Sequence, residues 1–444
     1  MLRSRMTAAV AMIALCVPAS VWAQGAANAV PEPLSLKQAL EIAERASPEM
    51  QMARLRVVES EAVALSVKAG LLPQVSARVA QAYQTSNLQG IGLLAPGLPD
   101  RVGPYRVFDA RPSVSWRVLD MSLLAGVKAA QERTKQNQAS ADAIAERTRA
   151  AVIDLYLQAL ASEALARAAQ ARITIAEVVL KQATDNEEAG RGNKLDVARA
   201  LQQLEKERAA LVEVRKRRDV LSTLLVKTIG LDARSAVSIT ALPDRVSLWD
   251  VNREAVLSEA MDMRAERRFV SAKGAMLSRE IEQARKERWP TVDAFSNYGV
   301  LGAGPDRALS TWQVGASVNL PLWTGRRIEN DIKASQARRE QWKQEERQVA
   351  QQIEQEITEA LIEGKAAAEQ LQHQTAAAYA ARESLELARL RFEGGYTGSL
   401  DVATAQGELA QMEEEAIRIR YQEWMAEAKL ARARGNVRLF VEGM

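Results

Sequence analysis

The sequence predicts a mainly α-helical fold with a transmembrane β-barrel portion, in which one helix, β-hairpin and helix plan occurs twice. Residues 190–204 (GRGNKLDVARALQQL) align without a gap with residues 395–409 (GYTGSLDVATAQGEL). The offset is 395 minus 190, or 205 residues, and a period this long indicates two large copies of one unit. Long stretches without proline, such as 120–186, predict long helices, and stretches of alternating polarity predict strands.

The N-terminus has the pattern of a secretory signal peptide. A basic start and an apolar run at 8–17 precede small residues suited to cleavage, so residues 1–23 are predicted to be removed. A membrane anchor is the alternative for this segment. The only cysteine, Cys16, lies within it, so the mature chain would contain no disulfide or reactive thiol. Leu15, just before it, argues against lipidation.

Composition argues against two classes of protein. The formal charge of +3 falls to +1 once Arg3 and Arg5 leave with the leader, since 57 basic residues then face 56 acidic ones. A nearly neutral chain has no electrostatic case for binding nucleic acid. We find no nucleophile and base pair, no phosphate loop and no cofactor motif, so we predict no enzyme. His373, the only histidine, has no neighbouring ligands and is predicted to be structural.

The first repeat is predicted over 35–230, after a Pro- and Ala-rich lead-in at 24–34. Ser35 can cap a short helix, and Pro48 interrupts the pattern before a second helix that ends near Leu72.

A β-hairpin follows at 73–119. Val75, Ala77 and Val79 alternate with polar residues, and the same alternation returns before residue 119. The Gly- and Pro-rich stretch between them predicts a loop at about 84–108.

Two long helices, at 120–189 and 194–230, complete the first repeat. Ile153, Leu157 and Leu160 recur with the narrow spacing of a coiled-coil seam, which we expect to continue through Ala164. The partner helix is predicted to bury four apolar residues, which are Val197, Leu201, Leu204 and Leu211.

The second repeat is predicted over 253–440, after a linker at 231–252. It has a hairpin at 290–320 and long helices at 327–393 and 399–437. The offset between the copies falls from 217 residues at the prolines that open the strands to 205 at the turns. Since insertions collect in exposed loops, we expect the whole difference in the hairpin loops.

The hairpins leave three classes open. Strands of about 10 residues with one apolar face and aromatic residues near their ends are typical of membrane barrels. Four strands are too few to close, so copies would have to associate: two would give eight strands, and three would give twelve with room for a lumen. The alternative is a periplasmic coiled-coil adaptor or scaffold whose hairpins pack on its own helices. An exported hydrolase is the third class and would need a buried acid pair near a pocket.

In order and spacing, these features resemble the TolC family of outer-membrane efflux ducts. The resemblance covers nearly all of 35–440 and rests on the paired G-x4-L-D-V turns, the strand-opening Pro73 and Pro290, and the PLWTG turn at 321–325. It implies a homotrimer whose twelve-stranded barrel sits in outer-membrane lipid of a Gram-negative bacterium. A long α-helical tunnel would extend into the periplasm, with the linker at 231–252 in an equatorial belt.

The resemblance also implies a role and partners. The chain would form the passive exit duct of a tripartite efflux or type I secretion system, gated at its periplasmic end. An inner-membrane pump and a periplasmic adaptor (membrane fusion protein) would dock at the helix tips. Six residues map onto those tips: Ala189, Gly190, Arg191, Gly394, Gly395 and Tyr396.

The acid of the closed constriction in that family matches Asp401, with Asp196 as its repeat mate. In a trimer, an acid near the axis would form a ring of three like charges that favours cations. Some family members carry a second acid one turn further on. This chain has Thr404 there and Arg199 in the first copy, which argues against a strong cation-binding ring.

Both aspartates have an alternative explanation as helix-start residues. An acid in the first turn is stabilised by the helix macrodipole, and Asn193 or Ser399 could supply the cap.

Overall fold

The computed structural model describes residues 33–88, 90, 99–190, 192–232, 237–243 and 249–442. The predicted signal peptide with Cys16, most of the lead-in, and Arg191 lie outside the described residues. Within them the chain is mostly helical with one four-stranded antiparallel sheet, which confirms the predicted mainly helical fold with four strands per copy.

The duplicated plan is visible in the order of the elements. Each copy has two short helices, a β-hairpin and two long helices. The elements are α1 (Leu36–Ala46), α2 (Pro48–Ala69), β1 (Gln74–Asn87), β2 (Arg101–Leu119), α3 (Met121–Glu188), α4 (Lys194–Ile229), α5 (Arg253–Met263), α6 (Ala265–Lys286), β3 (Thr291–Gly302), β4 (Ala308–Asn319), α7 (Arg327–Glu393), α8 (Ser399–Ala433) and α9 (Leu439–Glu442). None of the helices among the described residues has the length and apolar composition of a membrane-spanning helix.

The ends of α8 differ from the prediction. The helix stops at Ala433 and not at residue 437, because Gly435 adopts a left-handed φ of 92° that ends the helical path. At its start the N-cap is Gly398, which has no side chain to donate or accept a bond. Ser399 is already the first helical residue, so the expectation that it caps the helix was wrong.

The four strands form one antiparallel sheet in the order β1-β2-β3-β4. Val75 pairs with Val114 and Tyr298 with Trp312, so the apolar side chains share one face. This face is open to its surroundings, since Val75 is 74% exposed and Trp312 is 72% exposed. The sheet therefore does not fold its apolar face onto the chain's own helices, as the adaptor or scaffold alternative requires.

The first hairpin is more regular than its composition suggested. The expected loop at 84–108 is shorter, because β1 continues to Asn87 and β2 already begins at Arg101. The register of the pairing with β2 shifts between Gln84 and Ser86, and the two strands pair again beyond this irregularity. The strands of this hairpin, at 14 and 19 residues, are also longer than the two 12-residue strands of the second. The difference between the copies is therefore shared by loops and strands.

The long helices pack as two hairpins joined side by side. Helix α3 contacts both α4 and α8, and α7 contacts α8. The predicted seam is confirmed at Ile153, Leu157 and Leu160, which are all buried. It is wrong at Leu201, which is 47% exposed, because the buried face of α4 there is set by Ala200 and Leu204.

A buried cluster at mid-height ties α3 to the linker. The backbone of Leu34 forms a parallel bridge with Ile239. The Tyr156 hydroxyl lies 3.0 Å from the Leu34 carbonyl oxygen and 2.7 Å from that of Thr240, to which it can donate. Burial raises the pKa of Tyr156 to about 12. The hydroxyl therefore stays protonated and acts as a permanent donor.

A buried ion pair joins α3, α4 and α8 between the mid-height cluster and the turns. Arg172 Nε donates to Glu207 Oε2 at 2.9 Å, and a terminal nitrogen of the same guanidinium donates to Glu414 Oε1 at 2.8 Å. The Arg172 and Glu207 side chains are only 5% and 6% exposed. Gln406 Nε2 donates to the Arg172 carbonyl at 3.2 Å. One arginine thus links the two helical hairpins.

Candidate functional site

The two repeated turns have the same backbone geometry. Gly190, after α3, has φ 70°, and Gly395, after α7, has φ 73°. Their N–H groups donate to the carbonyls of Glu187 and Phe392, each at 3.0 Å. Both helices therefore end in a left-handed residue that reverses the chain, which is the conformation that favours glycine.

The candidate docking residues that the structure describes, all but Arg191, are exposed on these turns. A Cβ at Gly190 or Gly395 would meet no other atom within 4 Å, so both glycines face open space. Tyr396 is 85% exposed, and its ring lies against Gly394, where a Cβ would be only 2.8 Å from the ring. A larger residue at 394 would therefore displace the Tyr396 ring from this position. The first turn has Ala189 at the corresponding position.

The two turns lie beside each other, at the same end of the long helices. Gln182 Nε2 on α3 donates to Glu393 Oε1 on α7 at 3.1 Å. A shared apolar cluster lies beneath them and includes Val179, Phe392 and Val402. Two repeats separated by 205 residues in sequence therefore build a single tip.

Asp196 occupies the third position of α4 and has a helix-start environment. Asn193 caps that helix, since its Oδ1 accepts from the Asp196 N–H at 2.9 Å. The Asp196 carboxylate also lies 3.8 Å from where a Cβ on Gly398 would be. It therefore approaches the start of α8, where the N-cap offers no side chain and the macrodipole favours an anion.

Asp401 occupies the equivalent third position of α8 but has different surroundings. Its side chain is exposed, whereas that of Asp196 is half-buried. Thr404, one turn further on, is also exposed, and its hydroxyl donates to the Leu400 carbonyl at 2.9 Å. Asp196 and Asp401 therefore share a backbone position but not an environment. Of the two, Asp401 is the one exposed on the surface of the single chain.

Three buried polar atoms at the tip lack a hydrogen-bond partner within the described chain. They are Gln182 Oε1, Arg389 Nε and Thr397 Oγ1. Sequence patterns did not predict them, because polar residues in a long helix or an exposed turn look solvated. Buried polar groups are almost always paired with protein or with ordered water, so these three atoms are candidates for contact with groups outside the chain. Among the described residues, no group of three His, Cys, Asp or Glu side chains could hold a metal ion.

The sheet forms the opposite functional surface. Its two faces differ in polarity, and β1 and β4 each have one neighbour only. With helices of 68 and 67 residues following its two hairpins, this arrangement is typical of channel-forming outer-membrane proteins.

Comparison with known proteins agrees. The chain belongs to the outer membrane efflux protein family, whose model matches residues 39–231 and 255–436. No curated protein matches the chain. The chain is therefore assigned to the outer membrane, in a family of channels and not of enzymes.

Three solved structures show how closely the fold is shared. The Campylobacter jejuni CmeC outer membrane channel is 14% identical, with 90% of this chain and 85% of that chain covered and a TM-score of 0.78. VceC from Vibrio cholerae is 17% identical, with coverage of 90% and 96% and a TM-score of 0.76. The open state of the Neisseria gonorrhoeae MtrE channel is 18% identical, with coverage of 90% and 89% and a TM-score of 0.71.

Proposed function

We propose that three copies of this chain form a passive exit duct, the outer-membrane component of a tripartite efflux or type I secretion system. The observation that carries the proposal is the four-stranded sheet, with its exposed apolar face and two open edges. Lipid does not tolerate unpaired strand edges, so β1 and β4 need strands from other copies. Eight strands would enclose only side chains, whereas twelve leave a lumen.

The helices support the same assembly. Helix α4 packs mainly on α3, and α7 packs mainly on α8 and α6, yet both still expose large apolar residues along their length. Val212 on α4 is 67% exposed, and Ile362 and Tyr379 on α7 are 64% and 74% exposed. Exposed apolar residues spread along a helix indicate a partner, and adjacent copies would bring α4 and α7 together into a closed helical tunnel.

The tip is the proposed docking surface for a periplasmic adaptor, and through it for an inner-membrane pump. The open left-handed glycines at 190 and 395 let another backbone approach closely. Ala189, Arg191, Gly394 and Tyr396 flank them in sequence. The unpartnered atoms of Gln182, Arg389 and Thr397 supply hydrogen-bonding groups for a neighbouring copy or a partner.

Asp401 is the proposed gate residue, and Thr404 lines the same path. Asp196 is assigned to the start of α8 and not to the gate, because its carboxylate lies beside Gly398 within the same chain. Three exposed Asp401 side chains near the axis would repel each other and attract cations, which gives the closed end a cation preference.

Membrane fractionation and planar bilayers test this function. The protein should require detergent for extraction, run as a trimer and form conducting pores. Asp401→Ala should raise conductance and reduce cation preference, whereas Asp196→Ala, at the matched position, should change neither and should lower stability. Unchanged conductance in Asp401→Ala would reduce Asp401 to a helix-start acid. A water-soluble monomer would overturn the duct itself.

A further inference from the structure

Three charged residues of the first hairpin lie close together on the polar face of the sheet. Arg78 on β1 is opposite Arg111 on β2, and Asp109 lies two residues before Arg111 on the same face. Two cations directly opposite each other on neighbouring strands are destabilising unless something compensates them. The compensation is present for one of the two.

Arg111 is neutralised within its own strand. Its Nε donates to Asp109 Oδ1 at 2.5 Å, and a second nitrogen bonds the other carboxylate oxygen. The arginine stem lies over Gly299 of β3, where a Cβ would be 2.6 Å from Arg111 Cγ. The glycine thus leaves room for the side chain to lie flat on the sheet, and the pair contributes no net charge.

Arg78 remains uncompensated. It is exposed, it has no carboxylate within 4.0 Å among the described residues, and its attraction to Asp109 is shared with Arg111. The unpaired edge of β1 would be filled by β4 of the next copy. That strand, ALSTWQVGASVN, has no charged residue, so assembly brings no counter-ion.

The depth of Arg78 is set by its neighbours. Val75 and Val79 flank its position on the apolar face and are 74% and 73% exposed. Arg78 therefore lies at the level of the lipid-facing band, on the opposite side of the sheet. In the trimeric duct, that side is the lumen.

We propose that Arg78 forms a ring of three positive charges inside the barrel, which binds multivalent anions and favours anionic substrates that carry phosphate or several carboxylates. The inference rests on the proposed duct. Rings of arginine or lysine give pores selectivity for anions and phosphate groups. The barrel would thus favour anions, opposite to the preference proposed for Asp401 at the other end.

Tripolyphosphate block in planar bilayers tests the ring independently of the tip. Added on the barrel side of oriented trimers, tripolyphosphate should reduce the current of the wild-type protein, and less so as the KCl concentration rises. Arg78→Gln removes three charges and should raise the half-blocking concentration about tenfold, or about 1.4 kcal/mol. The matched control is Arg106→Gln on β2, because Arg106 lies on the apolar face, 5.4 Å from the Tyr83 ring centre.

Each outcome distinguishes the ring from the duct. Loss of block in Arg78→Gln with block retained in Arg106→Gln supports the ring. Equal block in wild type and Arg78→Gln, or loss in both variants, overturns the ring and leaves the duct intact. Trimers that conduct no current would instead overturn the duct.

Discussion

Arg172→Met should destabilise the helical part of the protein more than a substitution that breaks an exposed ion pair. The arginine is 5% exposed and makes two charge-assisted hydrogen bonds, to Glu207 and Glu414. Its removal leaves the Glu207 carboxylate, 6% exposed, without a cation. Such an orphaned buried charge costs about 3–5 kcal/mol.

The structure places the expected value at the lower end of that range, at about 3 kcal/mol per copy. Glu207 keeps one donor, since Gln203 Nε2 bonds its other oxygen at 2.8 Å. Glu414 is 34% exposed and can turn to solvent. Adding Glu207→Gln removes the orphaned charge, so the double variant should recover about 2 kcal/mol of the loss.

Denaturant unfolding of the detergent-solubilised protein, followed by helical circular dichroism, measures these differences. The control is Arg382→Met, which breaks an ion pair between Arg382 on α7 and Glu413 on α8. Because Arg382 is 65% exposed, this change should cost less than about 1 kcal/mol. An Arg172→Met variant as stable as the control, or a double variant less stable than Arg172→Met alone, would contradict a structural role for the buried pair.

Three further predictions concern the mid-height cluster and the tip. Tyr156→Phe removes a buried donor and should lower stability by about 1 kcal/mol, whereas Tyr396→Phe, 85% exposed, should have no effect in thermal melts of the two variants. Burial opposes ionisation of Glu44, but hydrogen bonds from two arginines outweigh it and lower its pKa. Stability should therefore fall as the pH drops below 4.5, the ordinary value, and a pH series of Glu44→Gln should lack that part of the decline. Gly395→Ala should cost about 1 kcal/mol because φ is 73°, whereas Gly407→Ala, inside α8 with open space around it, should stabilise by about 0.5–1 kcal/mol; equal effects would contradict the backbone argument.

Local patterns predicted the elements of this fold well, because each depends on residues close in sequence. The alternation around Val75 and Trp312 predicted both strand faces, and the glycines at 190 and 395 predicted the turns. Leu201 was misassigned because a seam of period 3.5 does not distinguish between adjacent residues without the partner helix. The prediction that Ser399 caps α8 was wrong by one position. Sequence patterns do not define the first residue of a helix that closely, and here the N-cap is Gly398.

The features that sequence could not predict are those that join distant segments. Arg172 and Glu207 lie 35 residues apart, and each looks like an ordinary charge on a solvated helix face. Only the packing of α3 against α4 and α8 buries them. Tertiary packing also explains why Asp196 and Asp401 differ, although the repeat gives both the same local sequence. Asp196 lies against the other turn, beside Gly398, whereas Asp401 is exposed.

The mid-height cluster joins the two ends of the described chain. Leu34 and Phe440 are both buried in it, together with Tyr156. A core that contains residues 34 and 440 cannot close while the ribosome or the export machinery still holds the C-terminal segment. Until then its apolar residues stay exposed. A chaperone that binds unfolded apolar segments would therefore be needed most during this period.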